Sequence, residues 1–338
     1  MKQKIECPYC DGIAILYKEA KELTYRKDVF KIVAHFYKCE KCQEEFTTTE
    51  ADTISLTQAY NQYREKNNIP FPEEIAAIRH KYDIPASKMS EVLGLGANGY
   101  SNYENGEIPT PAYGNLISAV SEPQTFLNLL DKAKEHFSEN AFKKVRERVM
   151  YLIQSADESK DICSILNVYN VPNNYTGFRK PEPAKIANLV TYYIQHSKPD
   201  FNDKLKLNKQ LFFTDFTHYK NHGTSICGLS YRAIKYGPVP SNYDNIYAYL
   251  ENEQLISSQF LKLPNGGARE IFVSEADFDK NLFTEEEKET INTIIEKFAD
   301  ISTWDIVDLS HEEKAWKELE ANRELIGYQD YAFELKAV

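Results

Sequence analysis

Ala86 to Pro109 reads ASKMSEVLGLGANGYSNYENGEIP. Within it Met89, Val92 and Leu93 recur at helical spacing and mark the apolar side of a short helix. Gly94-Leu95-Gly96 breaks that helix, and the pattern predicts a second one from about Ala97 to Glu104, stopped by Asn105-Gly106. Two short helices joined by a tight glycine-containing turn form the helix-turn-helix pattern, whose second helix lies in the DNA major groove. Asn98, Ser101 and Asn102 share one face of that second helix, as small polar side chains able to meet base edges and phosphates. Tyr100 and Tyr103 share the other and can pack back on the preceding helix. An ordinary helical hairpin inside a larger core would show the same spacing; the polar face favours DNA.

Helical sequence surrounds this stretch. Residues 51–68 read as a helix with Ile54, Ala59, Tyr60 and Tyr63 on its packed side. Pro72 sits at a first helical position, with Glu73 and Glu74 favouring the helix dipole and Ile75, Ile78 and Tyr82 at helical spacing. Thr110 before Pro111 is a cap signal, and further helices follow at about 123–137 and 139–154, the last capped by Ser138. Together these make a compact all-helical DNA-binding domain.

Upstream, four of the six cysteines stand as Cys7-Pro8-Tyr9-Cys10 and Cys39-Glu40-Lys41-Cys42. Two CxxC pairs, 28 residues apart, can close a tetrahedral thiolate site around one zinc. Ile13–Tyr17 and Val29–Tyr37 between them are strand-like. A module this small needs the metal for part of its stability, and four thiolates leave no open position for catalysis. A redox CxxC comes singly, at a helix start. Cys163 and Cys227 are isolated and read as small buried hydrophobes.

The chain has 338 residues and a net charge of −11, enough length for two or three domains. Residues 1–71 carry 11 basic and 11 acidic groups, residues 72–154 carry 9 and 11, and residues 181–338 carry 17 and 26. The charge argues against a nonspecific polyanion binder. With no signal peptide and no 18-residue apolar run, the chain reads as a cytoplasmic protein without a membrane partner.

Residues 155–182 read as a linker, with a short strand around Ile162–Tyr169. Beyond it helices are expected at Ala184–His196, Lys204–Tyr219 and Tyr243–Asn252, and strand-like sequence at Gly228–Tyr236. Gln259–Leu263, the turn Asn265-Gly266-Gly267 and Glu270–Val273 form an expected hairpin, and Thr284 caps a helical tail. Tyr236-Gly237-Pro238-Val239-Pro240 fits a rigid lead-in from strand to helix, and His311 and Trp316 read equally as packing near it or as plain core residues. The acidic run Glu285–Glu289 reads as a solvated face rather than a binding patch. The expected fold class is therefore multidomain. A small zinc-bound β module spans 1–50, a linker helix 51–71, an all-α helix-turn-helix domain 72–154, a linker 155–182 and an α+β domain 183–338.

CPYC, the second CxxC, the linker helix and EVLGLGANGYSNYENGEIP together resemble the MqsA-type antitoxin family, over roughly residues 5–135. That resemblance implies a structural zinc, one per chain, on Cys7, Cys10, Cys39 and Cys42, and a helix-turn-helix homodimer repressing its own operon at a palindrome. It makes Asn98 and Asn102 the base readers. Family members usually carry Arg where Asn102 stands; Arg suits guanine and Asn suits adenine, so a different operator is implied. Ala97, Ser101 and the phosphate candidates Lys88 and Arg79 complete the expected DNA contacts.

KLNKQLFFTDFTHYKNHG, LSYRAIKYGPVP and DLSHEEKAW resemble the SocA-like Panacea domain, over roughly residues 183–325. Its members bind and neutralise toxins, which places the partner, a toxin encoded next door, at Tyr236, Gly237 and Pro238. A stand-alone regulator whose second domain senses a ligand or partner is the alternative. An enzyme would need titratable groups to converge, from His196, Asp215, His218, His222 and His311. The His218/His222 pair runs into a glycine and lacks the glutamate of HExxH, so no enzyme is expected.

Overall fold

The computed structural model describes residues 1–155, 171–262 and 267–338. These divide into two compact units. One takes in Met1–Leu23, Lys31–Gln58 and the described residues from 171 onward; the other holds Thr24–Phe30 and residues 59–155. The expected strand at Ile162–Tyr169, Cys163 and most of the turn at 265–267 lie outside the described residues.

The chain begins with an antiparallel sheet in the order β1 (Lys4–Glu6), β2 (Ile13–Tyr25), β3 (Asp28–Cys39), β4 (Glu45–Phe46). β3 alternates, burying Ile32 and then His35, Tyr37 and Cys39. Helix α1 (Thr49–Lys66) closes its outer edge with side chains rather than another strand. The His35 amide donates to Ser55 Oγ at 3.0 Å, and the Gln58 amide group accepts from Val33 N at 2.8 Å and donates to Val33 O at 2.9 Å. Sealing an edge this way removes a template for unwanted strand pairing.

The same unit holds the C-terminal domain, built around α9 (Lys204–His222). Every residue from Lys206 to Tyr219 is buried, so this helix is enclosed on all sides. Asp203 caps its start through Lys206 N, and α8 (Pro183–His196), α11 (Glu285–Phe298), α12 (Thr303–His311) and the β5–β6 hairpin (Tyr231–Ile234, Gly237–Pro240) pack on it. The hairpin is a correction to the sequence reading. The strand expected from Gly228 to Tyr236 is only four residues long, and Gly237–Pro240 is its partner rather than a bare lead-in to α10 (Tyr243–Asn252). Strands β7 (Ile256–Lys262) and β8 (Ala268–Ser274) pair as expected, and α13 (Lys314–Leu319) and α14 (Tyr328–Tyr331) complete the tail.

Buried charged groups in this domain are held by hydrogen bonds. The Asp215 carboxylate accepts from the amides of Ile226 and Cys227 at 2.9 and 2.8 Å and from the Tyr231 hydroxyl at 2.9 Å. Lys185 reaches Glu287 at 2.9 Å, and Glu287 also accepts from Thr284 N in the capping box of α11. Lys220 donates to the carbonyls of Leu335 and Val338, fastening the C-terminus.

The second unit is helical: α2 (Pro72–Lys81), α3 (Ala86–Leu93), α4 (Gly99–Glu104), α5 (Pro111–Ala119), α6 (Pro123–Lys132) and α7 (Glu139–Ser155). Its core is hydrocarbon and aromatic, with Tyr82 stacked on Phe126 at 4.0 Å. Here α6 stops at Lys132 and a 3-10 turn follows, where one helix to 137 was expected. The fold class is multidomain as expected, with a strand module, a helical region and a mixed C-terminal domain. No helix among the described residues is long and apolar enough to cross a membrane.

Candidate functional site

The two CxxC turns bring four sulfurs together. Cys7, Cys10, Cys39 and Cys42 Sγ all lie within 4.8 Å of one another, the only such grouping of His, Cys, Asp or Glu among the described residues. Cys7 and Cys42 are 3.7 Å apart, Cys10 and Cys39 3.6 Å. A tetrahedron with Zn–S bonds of about 2.3 Å has sulfurs about 3.8 Å apart, so the spacing fits. Backbone amides already aim at these sulfurs: Tyr9 N at Cys7 Sγ (3.4 Å), Lys41 N and Cys42 N at Cys39 Sγ (3.3 and 3.5 Å). Those two amides, Cys42 first, draw the Cys39 thiol down to about 6, while Cys10, by burial, and Cys42, by burial and the other sulfurs beside it, are raised. Gly12 lies against the cluster, and a Cβ there would fall 2.8 Å from Cys39 Sγ. The donor set fits a thiophilic ion in a closed, non-catalytic site.

In the helical unit α3 ends at Gly94, whose φ of 67° is the left-handed conformation a tight turn requires. The second helix starts at Gly99 rather than Ala97, because Asn98 takes the N-cap position with ψ 7°. Ser90 Oγ accepts from Tyr100 N at 3.0 Å, and the buried Tyr100 hydroxyl donates to Ile75 O at 2.7 Å, fixing the rotation of α4. That rotation leaves Ala97, Asn98 and Asn102 exposed and Ser101 half-buried.

The sequence reading missed what holds the following loop. Arg79 Nε donates to Glu104 at 2.6 Å, and the buried Arg64 donates to Gly106 O at 2.8 Å. Arg26, on the β2–β3 tip, donates to Ile108 O at 2.8 Å and to the Tyr63 hydroxyl at 3.0 Å. No spacing rule links an arginine to a backbone carbonyl 42 or 82 residues away, so nothing in the pattern could have pointed to these clamps. Arg79 is thus engaged inside the unit. Lys88 is half-buried and donates to Glu91 and to His136 O, both at 2.6 Å.

In the C-terminal domain Tyr236 is exposed at the tip of the β5–β6 hairpin, while Gly237 and Pro238 are buried. Gly237 has φ 91°, and a Cβ on it would sit 2.2 Å from Ser310 Oγ and 2.6 Å from Lys209 Cε. Lys209, pushed down to about 7 by burial, donates to Pro238 O at 2.9 Å. Trp316 Nε1 donates to Ile234 O at 2.8 Å, and His311 stacks on Trp316 at 3.8 Å, which places the pair at the hairpin, the first of the two readings.

The titratable residues weighed for catalysis have local roles. α9 continues through His222 before Gly223 stops it, three residues past the expected end, because the residues up to Tyr219 are buried and the last turn still packs. His218 and His222 therefore share a face and stack at 4.4 Å; burial lowers both, and His218 meets Thr290 Oγ1 at 3.0 Å. Asp215 is a structural acceptor, raised to about 6 by burial, and His196 is exposed beside Tyr192.

Two stretches match families of known proteins. Residues 5–139 match the family described as the antitoxin component of bacterial toxin-antitoxin systems, MqsA, and residues 207–317 match the antitoxin SocA-like Panacea domain. Antitoxin MqsA of Escherichia coli (strain K12) is 28% identical over 131 residues, which is 37% of this chain and 98% of that relative. Both resemblances read from the motifs are thereby matched, and both matched families are described as antitoxins.

Proposed function

We propose that this chain is a cytoplasmic antitoxin with two binding duties and no catalytic one. A homodimer reads a palindromic operator through α3 and α4, with Asn98 and Asn102 meeting base edges, Ala97 and Ser101 beside them and Lys88 at a phosphate. The C-terminal domain binds and neutralises a toxin near Tyr236, Gly237 and Pro238. One zinc per chain is held by Cys7, Cys10, Cys39 and Cys42, where it would supply a structural cross-link. The observation that carries this reading is the presence, in one chain, of segments matching two separate antitoxin families. The exposed polar face of α4 supports the DNA duty, and the excess of acidic groups in residues 181–338 suits a basic protein better than phosphate.

The two duties are separable. Asn98→Ala in the full chain should cost about 1–3 kcal/mol at one base pair of the operator while leaving growth rescue from the neighbouring gene's product intact. Footprinting of the upstream region and a co-expression growth assay read the two duties independently. If Asn98→Ala together with Asn102→Ala binds the upstream region as tightly as the parent, the DNA assignment is wrong; if the parent rescues nothing, the antitoxin assignment is.

A further inference from the structure

Helix α12 buries Thr303, Ile306, Val307 and Ser310 against the domain and turns Trp304, Asp305, Asp308 and Leu309 to solvent. Trp304 is 59% exposed, Tyr236 44% and Leu309 36%. The rings of Tyr236 and Trp304 meet edge to face at 6.1 Å. Left in water, a tryptophan forgoes the large stabilisation its burial would bring. An exposed tryptophan–tyrosine pair therefore marks a surface that gains by being covered.

The platform beneath is rigid. The Trp316 indole holds the hairpin at Ile234 O, Lys209 holds it at Pro238 O, and Asp305 closes the capping box with Ser302. Surfaces already held in place lose little entropy on binding. On the α12 side the rim is acidic: Asp305 and Asp308 are exposed, and Asp308 has no ion pair among the described residues. On the hairpin side Lys235 lies over the Tyr236 ring at 5.2 Å. Asp308 lies one helical turn from Trp304, so both reach the same incoming side chain. A cation laid on the indole with its charge toward a carboxylate gains from the ring and the ion pair together.

We propose that Trp304, Tyr236 and Asp308 form the docking surface for a basic protein partner, which lays an arginine or lysine on Trp304 against Asp308. This rests on the antitoxin reading and deepens it, since the partner is then the toxin. Aromatic anchors at the centre of an interface carry most of its energy, and the α12 carboxylates on a domain with 26 acidic against 17 basic groups steer a basic partner in.

The probe is the purified product of the neighbouring gene, titrated by calorimetry against full-length parent, Trp304→Ala, Asp308→Lys and Glu296→Lys. Glu296 is exposed on α11 and changes the net charge by the same amount as Asp308. Trp304→Ala should weaken binding roughly 30-fold or more, as central aromatic anchors do. Asp308→Lys should weaken it about tenfold, less so at high salt, with Glu296→Lys near parent. Trp304→Phe should recover most of the loss and, with unchanged melting curves, excludes misfolding as the cause. Parent-like affinity in both Trp304→Ala and Asp308→Lys overturns the surface while leaving the antitoxin reading in place. No binding by the parent overturns both. A change in oligomeric state without a change in affinity would give the surface to a second copy of this chain and overturn the proposal.

Discussion

The helical unit and the C-terminal domain differ in how much charge they bury at the centre. In the first, the central cluster is hydrocarbon and aromatic, the Tyr82 and Tyr100 hydroxyls donate to the carbonyls of Val120 and Ile75, and the buried charge is Arg64, tied to the Gly106 carbonyl outside that cluster. In the second, the enclosed helix α9 carries Lys206, Lys209 and Asp215 among its phenylalanines, each charge tied to a particular backbone or hydroxyl group. An apolar interior tolerates approximate fit, because burying hydrocarbon is non-directional. A charged interior fails abruptly when one partner is removed, because the other is left desolvated and alone.

Metal loss tests this contrast most severely. Cys39→Ser, or a strong chelator, should strip about one equivalent of zinc per chain and unfold the strand module, since closed thiolate sites contribute folding energy outright. The helical unit has no grouping of metal-ligating side chains among its described residues and should keep its own thermal transition. Metal analysis with calorimetry of the full chain reads both; a Cys39→Ser protein of parental stability would remove the metal from the account.

Next in size is Asp215. Its replacement by alanine strands two amides and the Tyr231 hydroxyl in a dry interior, and should cost about 3–5 kcal/mol. Ile117→Val, at a fully buried position of the helical core, should cost only about 0.5–1.5 kcal/mol. Urea unfolding of the two variants compares them directly. Equal costs would mean the polar interior is no more brittle than the apolar one.

The contrast also has a pH signature. Burial lowers Lys209 to about 7 and Lys206 to about 8, both well below the unfolded value of about 10.4. Between those values the unfolded chain binds more protons than the folded one, so stability rises with pH through the window from about 7 to 10. Asp215, raised to about 6, acts the other way: stability falls as pH climbs from about 4 to 6. The C-terminal domain should therefore be least stable near pH 6–7 and firmer at pH 9. Lys209→Met should flatten the upper limb, and a melting temperature that does not change from pH 7 to 9 would contradict the assignment.

The same contrast explains what could be read from sequence. Wherever burial follows apolarity at a fixed period, the elements were legible: Met89, Val92 and Leu93 marked α3, and Pro72, Thr110 and Thr284 marked helix starts. The cysteine cluster was legible because a knuckle is local chemistry. Gly94 and Gly237 show the limit. Both adopt left-handed φ, but a Cβ at Gly94 meets nothing within 4 Å, so its turn is decided locally. Gly237 is decided by Lys209 and Ser310, 28 residues before it and 73 after, and the hairpin it opens was read as a lead-in to a helix. The arginine clamps on the loop after α4, and the run of charges buried in α9, stayed hidden for the same reason. Their partners are carbonyls and carboxylates that only the fold brings near.

The smallest expected effect marks where the contrast should vanish. Thr110 caps α5 in the helical unit, accepting from Tyr113 N at 3.3 Å, and Thr284 caps α11 in the C-terminal domain, accepting from Glu287 N at the same distance. Both threonines are exposed, so neither cap bond is strengthened by a dry surrounding. Thr110→Ala and Thr284→Ala should each cost about 1 kcal/mol, as N-cap truncations do. Glu287 complicates the second case, because it reaches back to the Thr284 amide while pairing with Lys185 in the interior. Alanine keeps that amide, so the Glu287–Lys185 pair survives and the two costs should agree. Chemical denaturation of both variants decides the point. A cost at Thr284 exceeding that at Thr110 by more than about 1 kcal/mol would mean the cap orients the Glu287 carboxylate for Lys185, and that the polar interior extends to the surface of the domain.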